Sequence, residues 1–108
     1  MTFRNARGLR LVGDFTPAGD RAIVVMAHGF ASDRGSRGRF PAIAAALATA
    51  GHASLAFDFA GCGESDDDVL TLDHQIDDLH AAIAHAHSLG YERLALHGHS
   101  LGGRVCLA

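Results

Sequence analysis

Arg93-Leu94-Ala95-Leu96-His97-Gly98-His99-Ser100-Leu101-Gly102-Gly103 is the stretch whose reading decides the fold. Its first half, Arg93 to His97, is a short apolar run that reads as a strand, and Leu101 onward turns helical. The chain must therefore reverse from strand to helix around Ser100. Gly98 and Gly102 suit such a bend, because a Cβ at either position would collide with neighbouring backbone. The serine is left on a strained turn with its Oγ held up at the sheet edge, and the helix after it presents its positive end to developing negative charge. Gly98-His99-Ser100-Leu101-Gly102 is thus a G-x-S-x-G pattern in the strand–turn–helix context that a nucleophile elbow requires.

Upstream, apolar runs alternate with helical patterns. Leu9 to Phe15 reads as a strand bounded by Gly8 and Pro17. Ala22 to Ala27 is almost continuously apolar, as suits a strand covered on both faces of a parallel sheet. A loop rich in Gly and Arg, Gly29 to Arg39, leads to a helix from about Phe40 to Ala50, with Phe40, Ile43 and Leu47 on one face and Gly51 as its C-cap. Ala53 to Phe59 is the next strand, followed by a turn from Ala60 to Ser65 and an acidic loop, Asp66 to Asp68. A second helix runs from about Leu72 to Leu89. Thr71 caps it, Asp73 sits in its first turn, and Leu72, Ile76, Leu79, Ile83 and Ala86 share a face. Gly90 ends it. Alternating strands and helices imply an α/β fold: a mostly parallel sheet with flanking helices and a leading antiparallel strand or hairpin. Functional residues in such sheets gather at the C-terminal ends of the strands, where His28-Gly29-Phe30, the 58–65 turn and the serine turn all fall.

At 108 residues and 48% apolar, the chain has room for one domain with a modest core. A formal net charge of -3 and the lack of a basic run argue against nucleic acid and anionic membrane surfaces as partners. No apolar run is long enough to span a bilayer, and residues 1–12 carry Arg4, Arg7 and Arg10 without an unbroken apolar core, so they do not read as a signal peptide. Two cysteines, Cys62 and Cys106, in no metal-ligand spacing fit a reducing compartment, and the expected location is cytoplasmic. The eight histidines are scattered over helix faces and loops without ligand-type spacing, so no metal is expected.

With these motifs in place, the chain resembles the α/β-hydrolase superfamily from Gly8 to Ala108, as its N-terminal portion only, with an incomplete sheet. Within it, H-G-F, F-D-F-A-G-C-G-E-S and G-H-S-L-G-G are similar to bacterial esterases and to serine aminopeptidase-type hydrolases. The resemblance implies that Ser100 is the nucleophile and that the N–H groups of Phe30 and Leu101 form the oxyanion hole. Two such donors stabilise the tetrahedral intermediate, and losing one costs about 10²–10³ in rate. It further implies that His28 and Gly29 brace the loop after Ala27, with His28 not acting as the base. Asp58, Gly61, Gly63 and Ser65 would form a structural turn of the D-x-R-G-x-G-x-S type, and Gly98, His99 and Gly102 would shape the elbow. Ala60 stands where that pattern has arginine, so the bracing this arginine provides should be lacking. Cys62 reads as a turn residue.

A serine triad also needs a base and an acid, which in the family follow the nucleophile on later strands. Only eight residues follow Ser100, so neither has a matching position, and the cap region is missing too. His99, adjacent to Ser100, and His97, in the strand, are poor substitutes, since a base must come within about 3 Å of Oγ. The expected protein is a serine hydrolase fragment whose parent cleaves a small-molecule ester or amide through an acyl-enzyme, without a cofactor. The alternatives are a parent with peptidase or acyltransferase activity, and a non-catalytic remnant or partner-binding fragment. The missing C-terminal half would cover the edge at Arg93 to His97. Left open, that edge invites self-association and a poorly soluble or partly folded chain.

Overall fold

The computed structural model describes residues 1–19, 21–29, 32–99 and 101–107, and the side chains of Leu101 and Arg104 fall outside that description. Five strands form one sheet: β1 (Thr2–Arg4), β2 (Arg10–Thr16), β3 (Ala22–Ala27), β4 (Ala53–Phe57) and β5 (Arg93–Gly98). Among the described residues, three α-helices, α1 (Arg39–Thr49), α2 (Leu72–Ser88) and α3 (Leu101–Leu107), and a 3-10 turn at Ser36–Gly38 accompany them. The spatial order is β1-β2-β4-β3-β5. β2 pairs antiparallel with both β1 and β4, whereas β3 lies parallel between β4 and β5. This is the expected α/β architecture, with β1–β2 as the leading hairpin.

The central register places Val25 of β3 opposite Leu55 of β4 and Leu96 of β5. Because side chains alternate along a strand, Ile23, Val25, Leu55 and Phe57 face one way and Met26 and Ala56 the other. The first set packs with Leu79, Ala82 and Ala86 of α2 and Val105 of α3 in the main core. The second packs under Phe40, Ile43 and Ala44 of α1. Hence α1 and α2, the two crossovers between parallel strands, cover opposite faces.

Both long helices stop as their sequences dictate. At the end of α1, Gly51 adopts φ +88°, its N–H donates to Ala48 O (3.0 Å), and the His52 N–H donates to Leu47 O (2.8 Å). This is a Schellman closure, whose left-handed backbone at that position favours glycine. Thr71 Oγ1 accepts the His74 N–H at 3.1 Å and caps α2.

Two details differ from expectation. β4 ends at Phe57, two residues short of Phe59, because the Phe59 N–H donates to the His28 ring rather than to a strand. The buried face of α2 carries Gln75, Asp78, Leu79, Ala82 and Ala86, while Leu72 is 36% exposed. It is rotated away from the purely apolar stripe because Asp78 has polar partners inside the fold. Among the described residues, β5 pairs with β3 alone and forms a sheet edge, with Leu96 39% exposed. No described helix is long and apolar enough to cross a membrane.

Candidate active site

β5 ends at Gly98 and α3 begins at Leu101, so only His99 and Ser100 separate strand from helix. The Gly102 N–H donates to His99 O at 3.0 Å and closes the turn. The His99 N–H donates to Ala27 O at 3.1 Å, which extends the β3–β5 ladder one residue past the strand. The approach is so close that a Cβ on Gly98 would overlap the Gly103 backbone, and one on Gly102 would overlap the carbonyl oxygens of Ala27 and His28. These are backbone atoms of the neighbouring turn and of the central strand, so nothing can give way cheaply. Ser100 itself lies outside the described residues, and so does Phe30. Leu101 opens α3, and the first N–H groups of a helix have no partner within it.

The loop leaving β3 begins with a buried histidine. His28 Nε2 accepts the Phe59 N–H at 3.2 Å, which puts the ring proton on Nδ1, where it is donated to Gly29 O at 2.7 Å. Burial pushes the imidazole pKa below its usual value. A neutral ring with both nitrogens committed braces the loop and has no capacity left to act as a base.

The 58–65 turn is organised by Asp58, which is fully buried. Its carboxylate accepts the Arg34 N–H and Arg34 Nη1, each at 2.6 Å, and the Glu64 N–H at 2.9 Å. Arg34 Nε lies 3.0 Å from Asp14 of β2, and Nη2 lies 2.6 Å from Glu64. The hydrogen bond to Glu64, with the other carboxylates, holds the guanidinium pKa above its normal range. Gly63 sits at φ +49°, and a Cβ there would strike the Asp58 carboxylate. Ser65 Oγ donates to Asp58 O at 2.7 Å and accepts the Val12 N–H at 2.9 Å, so it pins the turn to β2. Gly61, at φ +85°, lies so near the acidic loop that a Cβ would come within 2.6 Å of Asp68 O.

The bracing that arginine at position 60 would give comes from elsewhere. Arg34 serves Asp58. On the other side of the turn, Asp78 of α2 accepts the Ala60 N–H (2.9 Å), Asn5 Nδ2 (2.8 Å) and Arg7 Nη2 (3.1 Å), and Arg7 also pairs with Asp68 and Asp77. Sequence reasoning missed both networks. An aspartate on the buried side of a helix, with arginine and asparagine in the first residues of the chain, was the one available signal for the second.

Residues 18–108 match the family described as serine aminopeptidase, S33. The chain belongs to this family. Like its solved relatives, this S33-family chain has the α/β-hydrolase fold. GrgF, an α/β hydrolase from Penicillium sp. sh18, superposes with a TM-score of 0.90 at 28% identity, over 99% of this chain and 39% of that one. The Pyrococcus furiosus esterase Pf2001 gives 0.90 at 25% identity, over 99% and 44%. The quorum-quenching protein AidA of Acinetobacter baumannii (strain MDR-ZJ06) is 37% identical over 92 residues, covering 80% of this chain and 30% of that protein. The S33-family chain thus spans less than half the length of these relatives.

Cys62, a buried residue of the 58–65 turn, packs in the main core, and burial, then Asp58 and Asp78, push its thiol pKa up. The His97 ring meets Phe40 edge-on, with centroids 5.7 Å apart. Among the described residues no group of three or more His, Cys, Asp or Glu side chains is placed to hold a metal ion.

Proposed function

We propose that this chain carries the nucleophile and oxyanion half of a serine hydrolase acting on carboxylic esters, with Ser100 as the attacking residue. The observation that carries the reading is the two-residue turn between β5 and α3, packed too tightly for a Cβ at Gly98 or Gly102. A turn built this way lifts the intervening side chain clear of the backbone, as a nucleophile needs.

Ser100 Oγ attacks the ester carbonyl carbon. The carbonyl oxygen becomes an oxyanion held by the N–H groups of Phe30 and Leu101, and the alkoxide leaves with the proton that the serine gives up. Water then attacks the acyl-enzyme and releases the acid. The proton must pass through a base. His28 is excluded by its two hydrogen bonds. The base and its acid partner are assigned to residues beyond these, a reading supported by the greater length of the relatives. Ester rather than amide substrates are favoured because Pf2001 is an esterase.

The test uses an alkyl fluorophosphonate with imidazole as an external base. The Oγ–P bond forms, the P–F bond breaks, fluoride leaves, and the serine proton goes to imidazole. Mass spectrometry should place the adduct on Ser100, at a rate rising with neutral imidazole, and find none in Ser100→Ala. No adduct at any imidazole concentration contradicts the proposal and leaves a non-catalytic chain.

A further inference from the structure

The loop that leaves β3 is tied to the 58–65 turn at two places. At its near end, the His28 ring takes the Phe59 N–H and gives its own proton to Gly29 O. At its far end, Arg34 lays both its backbone N–H and Nη1 on the buried Asp58 carboxylate. Residue 30, the proposed oxyanion donor, lies between these anchors in the sequence. Beyond the far anchor the backbone is strained. Ser36 and Arg37 have φ of +47° and +56°, a region that side chains other than glycine rarely adopt, and the Ser36 hydroxyl is buried without a partner. Such a segment persists only where its neighbours over-determine it. Asp33 does part of this, since its carboxylate accepts the Gly35 N–H at 2.9 Å and the Ser36 N–H at 3.3 Å. Arg34 adds to this, held by Asp58 and Glu64 of the 58–65 turn and by Asp14 of β2.

We propose that Arg34 is a positioning residue of the oxyanion hole: seated on Asp58, it fixes the far end of the loop that carries the donor at residue 30. This rests on the hydrolase reading above. Oxyanion donors act through aim, so a loosened anchor slows the covalent step without weakening encounter with the substrate.

The experiment measures fluorophosphonate labelling of the 108-residue chain in imidazole as a function of probe concentration. Arg34→Ala should lower the maximal labelling rate about tenfold or more, a fraction of what losing a whole donor costs, while half-saturation moves less than twofold. Arg34→Lys, which restores a cation opposite Asp58, should recover most of the rate. In ¹⁵N-labelled Arg34→Ala, amide shifts and hydrogen exchange should change at residues 29–33 and 58–64 while β3 and β4 keep their protection. Labelling indifferent to Arg34, slowed only through half-saturation, or accompanied by loss of protection across the sheet sinks this proposal alone. No labelling of the unaltered chain sinks the hydrolase reading, and this one with it.

Discussion

One methyl group added at position 102 should be far more damaging than the same group at position 103. The Gly102 Cβ would land on the carbonyl oxygens of Ala27 and His28, at the end of the central strand, whereas the Gly103 Cβ would meet its nearest neighbour, Gly98 O, at an ordinary 3.5 Å. To accommodate Gly102→Ala, α3 must lift off β3. Overpacking of this kind costs about 1–3 kcal/mol. Partial exposure of Val105, now 1% accessible, adds about 1.5–2 kcal/mol, for a total of about 3–5. Gly103→Ala adds no overlap, and because both glycines lie in α3 any gain from replacing a helical glycine applies to both variants and cancels. The two variants should therefore differ by about 4 kcal/mol, a large part of the roughly 5–15 kcal/mol that holds a domain folded. Urea unfolding followed by circular dichroism reads this directly. At about 1–3 kcal/mol per molar urea, the midpoints should separate by more than about 1 M. Midpoints that agree within error would refute the close turn on which the account rests.

Other perturbations test the supports around that turn. Asp58→Ala strips the acceptor from Arg34 and the Glu64 N–H and should cost about 3 kcal/mol in urea unfolding, the lower end for a broken buried pair because Arg34 keeps Asp14 and Glu64. Arg21→Ala, which breaks a pair exposed to about 70% on both sides, should change stability by less than about 0.5 kcal/mol. Ser36→Ala removes the buried hydroxyl that has no partner and should raise the thermal midpoint by about 4 °C. Burial lowers the pKa of both His28 and His85 below the unfolded value, so the unfolded chain binds protons first. Stability should be full above about pH 6.5 and fall as the pH drops below it. His85→Phe, which keeps the stack on Phe3, should shallow that fall. Leu96→Lys on the exposed β5 edge should reduce self-association in sedimentation velocity.

Most of the frame was legible because its cues are local. Ala22 to Ala27 is a strand to the residue, since a short, largely buried apolar run with β-branched Ile23, Val24 and Val25 favours a strand over a helix. Thr71, Gly51 and Gly90 mark helix ends through chemistry that each residue carries by itself. The glycines of the elbow could be placed because few backbones demand two residues without Cβ around a serine. What could not be read depends on distant partners. Arg34 and Asp58 are 24 positions apart, and nothing in either residue's surroundings names the other. Asp78 broke the expected apolar stripe of α2 because Asn5, Arg7 and the Ala60 N–H meet it inside the fold. The lack of arginine at position 60 suggested a weaker turn, yet two cations from other segments brace it.

The most direct measurement is a crystal structure of the chain after reaction with the fluorophosphonate. Phosphorus should be bonded to Ser100 Oγ at the turn between β5 and α3, with the phosphoryl oxygen about 2.7–3.1 Å from the N–H groups of both Phe30 and Leu101. An adduct on another residue, or a phosphoryl oxygen turned away from those two amides, contradicts the proposed site.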